Sequence, residues 1–154
     1  MDNEPTLGFL LHDVARLLRK RFEQRAKESG LTRTQWQTLA YLSRNEGIQQ
    51  GSLADLLEVE PITLGRVVDK LERRGLIERR AHPTDRRIWL LYLRDAARPL
   101  IDEMRVIGDA TRQDALVGLS VEERRRLVAA LTRMKSNLVE ACARTPNDEE
   151  VANG

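Results

Sequence analysis

The chain has 154 residues, of which 41% are apolar and 32% charged, and its formal net charge is +2. This composition is typical of a single globular domain with a charged surface, and it argues against disorder. The one cysteine, Cys142, cannot form an internal disulfide, no apolar run reaches the ~18 residues that a membrane span needs, and the N-terminus lacks a signal-peptide pattern. We therefore expect a cytoplasmic protein with no membrane partner.

Positive charge is concentrated in one segment of the chain. Residues 66–87 contain eight Lys or Arg and four Asp or Glu, so this segment has an excess of four positive charges and the remainder has a net charge of −2. A local excess of this kind favours a polyanionic partner for the segment, which the overall charge alone would not.

The first part of the chain predicts two helices. Apolar residues recur at steps of three and four between residues 6 and 29, and Gly30 follows as a helix stop. Thr32 and Gln35 have the spacing of a capping box, which predicts that a second helix starts there. In the loop that follows, Ile48 is a candidate for a short third strand beside a later hairpin.

Residues 51–93 predict a short helix, a turn, a longer helix and a hairpin, which is the plan of a winged helix-turn-helix. We expect Ser52 to be the N-cap of the short helix, Pro61 to lie in the first turn of the longer one and Gly75 to end it. The apolar residues expected to face inward are Leu53, Leu56 and Leu57 on the short helix and Leu64, Val68 and Leu71 on the longer one.

The opposite face of the longer helix combines apolar, hydroxyl and cationic side chains: Ile62, Thr63, Arg66, Val67 and Lys70. Such a mixture suits the edge of a DNA groove. The alternative is an ordinary solvated surface on which Arg66 and Lys70 pair with Asp69 or Glu72.

Residues 76–80 and 88–93 predict the two strands of the hairpin, with a loop that carries Arg86 and Arg87. Arginine suits a narrow minor groove, because its planar cation meets a concentrated negative potential there. Side chains alternate between the two faces of the second strand, but the sequence does not decide which set faces inward: Ile88, Leu90 and Tyr92, or Trp89, Leu91 and Leu93.

Two further helices are predicted after the hairpin. Asp95 is the expected cap of the first, Gly118 its expected stop, and Ser120 with Glu123 forms a capping box for the second. On the last helix Leu127, Leu131, Met134 and Leu138 repeat at four, three and four residues, a narrow seam of the kind that pairs helices. One chain would leave this stripe and that of the first helix exposed, which predicts a homodimer. The polar residues 144–154 are expected to be a flexible tail.

Four strings resemble the MarR family of bacterial transcriptional regulators, and within it the SlyA-like branch. They are LTRTQWQTL at residues 31–39, VVDKLERRGLIER at 67–79, DRR at 85–87 and ARPLI at 97–101. The resemblance covers about residues 7–140. Arg94 departs from it, because the family usually has threonine there, and this leaves the cap of the following helix open.

The resemblance implies a mainly α fold with a small β-hairpin wing. The single domain, 1–154, would consist of a winged helix-turn-helix DNA-binding unit (32–93) between N- and C-terminal dimerisation helices (7–30 and 95–143), and two copies would bind a palindromic double-stranded DNA operator. The helix at 61–74 would be the recognition helix, and Asp85 would pair with an arginine to stabilise the wing. The DNA-binding residues expected are Ser52, Pro61, Ile62, Thr63, Arg66, Lys70, Arg86 and Arg87. The dimerisation residues expected are Leu7, Leu10, Leu11, Leu127, Leu131, Met134 and Leu138.

Regulation leaves more than one possibility open. His12 and Trp36 could line a pocket for a small aromatic effector, and the resemblance implies that such regulators often respond to phenolic or carboxylated compounds. A structural histidine and a core tryptophan are the alternative. Two other functions also remain: a winged-helix protein-interaction module that does not bind DNA, and a redox sensor that acts through Cys142.

An enzyme is not expected. The sequence contains no glycine-rich phosphate loop, no constellation of serine, histidine and acid, and no cluster with metal-ligand spacing. His82, in the loop of the hairpin, has no second histidine or cysteine within ligand spacing and is a better candidate for a phosphate neighbour. We therefore expect neither a cofactor nor a metal.

Overall fold

The computed structural model describes residues 5–144, which fall into two compact units that divide between Gln113 and Asp114. The elements of the first unit are α1 (Leu7–Ala26), α2 (Arg33–Arg44), α3 (Gln50–Leu57), α4 (Pro61–Arg73), β1 (Ile77–Ala81), β2 (Trp89–Leu93) and most of α5 (Arg98–Ala115). The second unit contains the end of α5 and all of α6 (Val121–Ala143). The predicted fold class, mainly α with a two-stranded hairpin, is confirmed.

Most of the core of the first unit lies within residues 33–93, which we call the winged module, and Ala97 and Met104 complete it. Leu39 and Leu42 of α2, Leu53 of α3, and Leu64, Val68 and Leu71 of α4 are fully buried together with Ile77 and Leu91 of the hairpin. The buried stripe predicted for α4 is confirmed. Each of the module's three helices contributes one apolar face, so the helices and the hairpin are held in a fixed arrangement.

The inward position predicted for Leu56 is wrong, because its side chain is 49% exposed. Leu53 and Ala54 are buried and Leu57 is half-buried. At 100° per residue, Leu56 lies roughly 100° from the centre of that face. A helix of eight residues packed along one side has no second neighbour to cover it.

Both predicted capping boxes are present. The Thr32 hydroxyl accepts from the Gln35 N–H at 3.3 Å and Gln35 Oε1 accepts from the Thr32 N–H at 3.1 Å. Ser120 and Glu123 form the same pair of bonds at 3.1 and 2.7 Å. The hydrogen bonds from Ser120 hold the pKa of Glu123 below its usual range.

Two predicted caps are wrong. Gln49, not Ser52, is the N-cap of α3, because Gln49 stays extended to form a β-bridge with Leu90 and the helix begins directly after it. Asp95 opens a short 3₁₀ turn, Asp95–Ala97, and α5 begins at Arg98. This later start places Pro99 in the first turn of α5, where its missing N–H costs no helical hydrogen bond.

The helix stops also differ in detail. Gly30 follows a short 3₁₀ turn, Lys27–Ser29, that extends α1. The regular part of α5 ends at Ala115, and Gly118 follows in a turn with φ of +85°. Glycine adopts this left-handed conformation without the clash that a Cβ would bring.

The hairpin is antiparallel, with Ile77 opposite Leu93 and Arg79 opposite Leu91. Leu91 is buried and Leu93 half-buried, so the set that shares its face with Ile77 points inward, although Trp89 at the far end of that set is exposed. In place of the third strand considered at Ile48 there is a single bridge between Gln49 and Leu90, beside which Ile48 O accepts from the Leu91 N–H at 3.0 Å.

The flexible tail predicted for residues 144–154 lies, except for Arg144, outside the described residues. Within residues 5–144, no helix combines the length and the apolar character needed to cross a membrane.

Candidate nucleic-acid interface

The outward face of α4 carries four of the five side chains predicted there, and the prediction for Val67 is wrong, because that side chain is half-buried against the core. Pro61 occupies the first helical position, where its fixed φ fits the start of a helix. Ile62 is 72% exposed although it is apolar, and Thr63, Arg66 and Lys70 are exposed as well. The buried stripe of the same helix fixes the rotation of α4, so these side chains are held outward.

Arg66 and Lys70 have no carboxylate within ion-pair distance in the part of the chain that the structure describes. Asp69 and Glu72, their expected partners on an ordinary helix surface, instead accept from Arg79 at 2.7 and 3.2 Å. The alternative in which the α4 cations are paired on their own helix is therefore not found. Both cations are available to an external anion.

Sequence reasoning missed Arg79. Besides the two acids, its guanidinium contacts Gln50 of α3 and the Gly65 carbonyl of α4, and its side chain is only 15% exposed. A signal was present in the sequence: Arg79 lies two residues after Ile77, so it shares the inward face of β1. Nothing in the string identified a partner that would make an inward arginine acceptable.

The tip of the hairpin is held by two side chains. Asp85 accepts from Arg87 three times, from the backbone N–H at 3.0 Å, from Nε at 3.2 Å and from Nη2 at 3.1 Å. These hydrogen bonds, from the side chain first and the backbone second, lower the pKa of Asp85. His82 Nδ1 accepts from the N–H groups of Thr84 and Asp85, both at 3.2 Å.

The arginine that Asp85 was expected to hold is thus Arg87. Arg87 remains largely exposed while bonded to Asp85. Its neighbour Arg86 is exposed and, within residues 5–144, has no carboxylate at ion-pair distance. The loop therefore presents two cations on a backbone that hydrogen bonds keep in one shape.

A cleft of about 270 Å³ separates the start of α3 from the hairpin. Gln49, Gln50 and Gly51 line one side, and Arg87 and Trp89 line the other. Ser52, exposed in the first turn of α3, follows directly. Trp89 is a second residue that sequence reasoning did not place at this surface, because the sequence did not decide which face of its strand points inward.

A second cavity, of about 450 Å³, lies between α1, α2 and α5. The rings of Phe22 and Trp36 line it, with centroids 4.3 Å apart and planes tilted by 38°. Arg44, Arg105 and Arg112 also line it. Trp36 lines this cavity and also packs against the core, whereas His12 is exposed on α1 and is not one of the lining residues.

The apolar stripes expected to form a dimer interface are uncovered. Leu7, Leu10 and Leu11 of α1 are exposed. On α6, Leu127, Leu131 and Leu138 are exposed, Met134 is half-buried, and none of the 23 residues of the helix is buried. Cys142 is exposed near the end of α6. Over residues 5–144, no group of three or more His, Cys, Asp or Glu could hold a metal ion.

Comparison with known proteins identifies the family. A family model described as the MarR family matches residues 29–88. The transcriptional regulator PA3341 is 32% identical in sequence, with a TM-score of 0.76, and the alignment covers 88% of this chain and 99% of that one. The chain belongs to the MarR family.

Two other MarR-family structures are informative. The transcriptional regulator SlyA is 30% identical, with a TM-score of 0.70 and coverage of 85% of this chain and 92% of SlyA. A putative MarR-family regulator from Listeria monocytogenes, solved in complex with 26mer DNA, is 25% identical, with a TM-score of 0.75 and coverage of 90% and 92%.

Proposed function

We propose that this MarR-family protein is a transcriptional regulator that binds a palindromic double-stranded DNA operator as a homodimer. The observation that carries the proposal is the outward face of α4, which presents Ile62, Thr63, Arg66 and Lys70 without competing acids, because Asp69 and Glu72 are bonded to Arg79. We call α4 the recognition helix from here on. The Listeria relative solved with 26mer DNA supports the same conclusion.

The recognition helix is suited to the major groove. Its N-terminal residues Ile62 and Thr63 offer a methyl-rich surface and a hydroxyl to base edges, while Arg66 and Lys70 offer donors to guanine or phosphate. Pro61 and the exposed Ser52 at the start of α3 lie where the DNA backbone would pass.

The wing supplies a second anchor. Asp85 holds Arg87 and the loop backbone, so Arg86 and Arg87 are presented in a defined position and not on a mobile loop. An arginine in a narrow minor groove benefits from its negative potential, and A·T-rich DNA has the narrowest groove. Recognition helix and wing together would fix the angle of the module on the duplex.

Two copies would bind one operator. The uncovered stripes of α1 and α6 offer apolar surface for a partner copy, with Leu7, Leu10 and Leu11 on α1 and Leu127, Leu131, Met134 and Leu138 on α6 as the proposed contacts. A two-fold dimer presents two recognition helices related by symmetry, and the DNA that matches it has mirrored half-sites.

The direct test is selection of bound duplexes from a random-sequence library, followed by fluorescence anisotropy with the selected duplex at several salt concentrations. We expect a mirrored consensus and a steep loss of affinity with salt. Replacement of Arg66 by Ala should weaken binding by about 1–3 kcal/mol. The matched control, Arg133→Ala, removes the same charge from α6 and should change affinity by less than about 0.5 kcal/mol. If no duplex is held more tightly than bulk competitor DNA, a protein-interaction module becomes the better assignment.

We also propose that a small aromatic carboxylate modulates DNA binding from the cavity between α1, α2 and α5. Phe22 and Trp36 offer ring faces to an aromatic group, and Arg44 offers a cation to a carboxylate. A ligand there could bias the position of α2 in the winged module, and a small shift is enough because both half-sites must be met together.

Trp36 provides the readout for this effector site, because the chain has two tryptophans and Trp89→Phe leaves Trp36 alone. Titration of that variant with benzoate should change its fluorescence to a plateau and alter DNA affinity over the same concentrations. The Trp36→Phe variant, with Trp89 alone, should show no such change. Benzyl alcohol, which lacks the charge, should bind more weakly than benzoate; equal binding would remove the carboxylate from the proposal.

A further inference from the structure

Arg79 joins three elements of the winged module. It lies on β1, and its Nε donates to Gln50 Oε1 of α3 at 3.0 Å. Nη1 donates to Asp69 Oδ1 at 2.7 Å and to Glu72 Oε1 at 3.2 Å, and Nη2 donates to the Gly65 carbonyl at 3.2 Å. The backbone N–H of Arg79 adds a bond to Glu72 Oε2 at 3.1 Å.

These bonds fix the base of the wing to the recognition helix. A guanidinium is a planar fork of donors, so bonds in four directions determine both its position and its tilt. The Arg79 side chain is 15% exposed, whereas the side chains of its partners Asp69 and Glu72 are 52% and 40% exposed. The β1 backbone at residue 79 therefore has one position relative to α4.

We propose that Arg79 is a positioning residue for DNA recognition: it sets where the wing lies relative to the recognition helix, and so which flanking bases the wing arginines reach, without itself contacting DNA. This inference rests on the proposed DNA-binding function. It assigns the preference for particular bases at the outer flanks of the operator to a residue that faces the protein and not the duplex.

Charge and geometry make opposite predictions here. If Arg79 acted only by neutralising Asp69 and Glu72, then lysine would replace it, and removing the two carboxylates would strengthen DNA binding. If Arg79 acts by position, lysine fails because a single ammonium group cannot bond to α3, to the Gly65 carbonyl and to both acids at once. Removal of the carboxylates would then loosen the wing although it adds positive charge to the surface.

The experiment compares two duplexes on each protein preparation. One is the duplex that the wild-type protein selects from the random library; the other has the A·T pairs at the outer flanks replaced by G·C. The ratio of the two Kd values measures flank discrimination, and it is independent of the fraction of protein that is active. A loss of stability alone would lower that fraction without moving the ratio.

The variants are Arg79→Lys, Arg79→Met and the double substitution Asp69→Asn with Glu72→Gln. We expect each to reduce flank discrimination at least about fivefold, the low end of what one lost base contact costs. The matched control is Arg80→Met. Arg80 is the next residue on β1 and points to the other side, where it pairs with Glu78 and stacks on the Tyr92 ring 3.8 Å away; its loss should leave the ratio within about twofold.

Circular dichroism identifies variants that fail to fold, and if Arg79→Met is one of them, Arg79→Lys and the double substitution still decide. Wild-type discrimination in Arg79→Lys, or tighter binding with an unchanged ratio in the double substitution, would overturn the inference while leaving DNA binding intact. Failure of the wild-type protein to select any duplex would instead overturn the proposed function, and this inference with it.

Discussion

The recognition helix and α6 have the same kind of sequence pattern and opposite burial. Both carry leucine, valine or methionine at steps of three and four. On the recognition helix, Leu64, Val68 and Leu71 are fully buried, whereas on α6 Leu127, Leu131 and Leu138 are 41%, 38% and 60% exposed. An amphipathic period thus shows which side of a helix needs a neighbour, but it does not show whether that neighbour belongs to the same chain.

The largest effect should come from charges placed on the uncovered stripe. The double substitution Leu131→Lys with Leu138→Lys would remove two leucines that the proposed dimer buries. The free energy of dimerisation should fall by about 3–6 kcal/mol, because that apolar burial is lost. Light scattering across a range of protein concentrations should show a monomer. Ala129→Lys, on the opposite side of α6, should remain dimeric.

A wild-type protein that is monomeric at every concentration would contradict this prediction and leave the α6 stripe without a partner. If the variant with lysine at both positions remains dimeric, the dimer interface lies elsewhere.

Next in size is a cavity beneath the recognition helix. Leu64→Ala removes a fully buried side chain and should lower the free energy of unfolding by about 2–5 kcal/mol, as measured by urea titration. Ile62→Ala, on the exposed face of the same helix, should cost less than about 0.5 kcal/mol while weakening DNA binding. Equal costs for the two variants would mean that α4 is not packed as described.

The two capping boxes offer a smaller and sharper comparison. Thr32→Ala should lower the free energy of unfolding by about 1 kcal/mol, because α2 is part of the packed core. In a chain made monomeric by the two α6 lysines, Ser120→Ala should reduce helix content and leave the urea midpoint unchanged, since no residue of α6 is buried. A shifted midpoint in that background would show that α6 unfolds together with the winged module.

Acid provides the smallest expected effect. Ser120 lowers the pKa of Glu123 in the folded chain, so the ionised carboxylate contributes stability above its unfolded pKa, and this contribution is lost as pH falls through the lower folded value. Glu123→Gln keeps an acceptor but has no charge to lose. The difference in helix content between the chain with Glu123 and the Glu123→Gln variant should therefore be present at pH 7 and shrink below about pH 4. A difference that grows in acid would contradict this prediction.

The sequence by itself determined the helices, the hairpin and the identity of the exposed face of α4. These features depend on local rules: the period of apolar residues, the Thr32 and Ser120 capping boxes, Pro61 at a helix start and Gly75 at a helix end. Arg66 and Arg86 could be predicted as candidate DNA contacts because a helix followed by a basic hairpin is the plan of a winged helix-turn-helix. The resemblance of four strings to one family was enough to name that family.

Only the tertiary structure decided the contacts between elements. Gln49 became the cap of α3 because it bridges Leu90, which is remote in sequence, and Leu56 is exposed because a short helix packs along one side only. The spacing from Ile77 places Arg79, and not Arg80, on the inward face of β1, but its partners on α3 and α4 are brought to it only by folding. Local periodicity fixes the direction of a side chain, whereas its partner depends on long-range packing that no single segment contains.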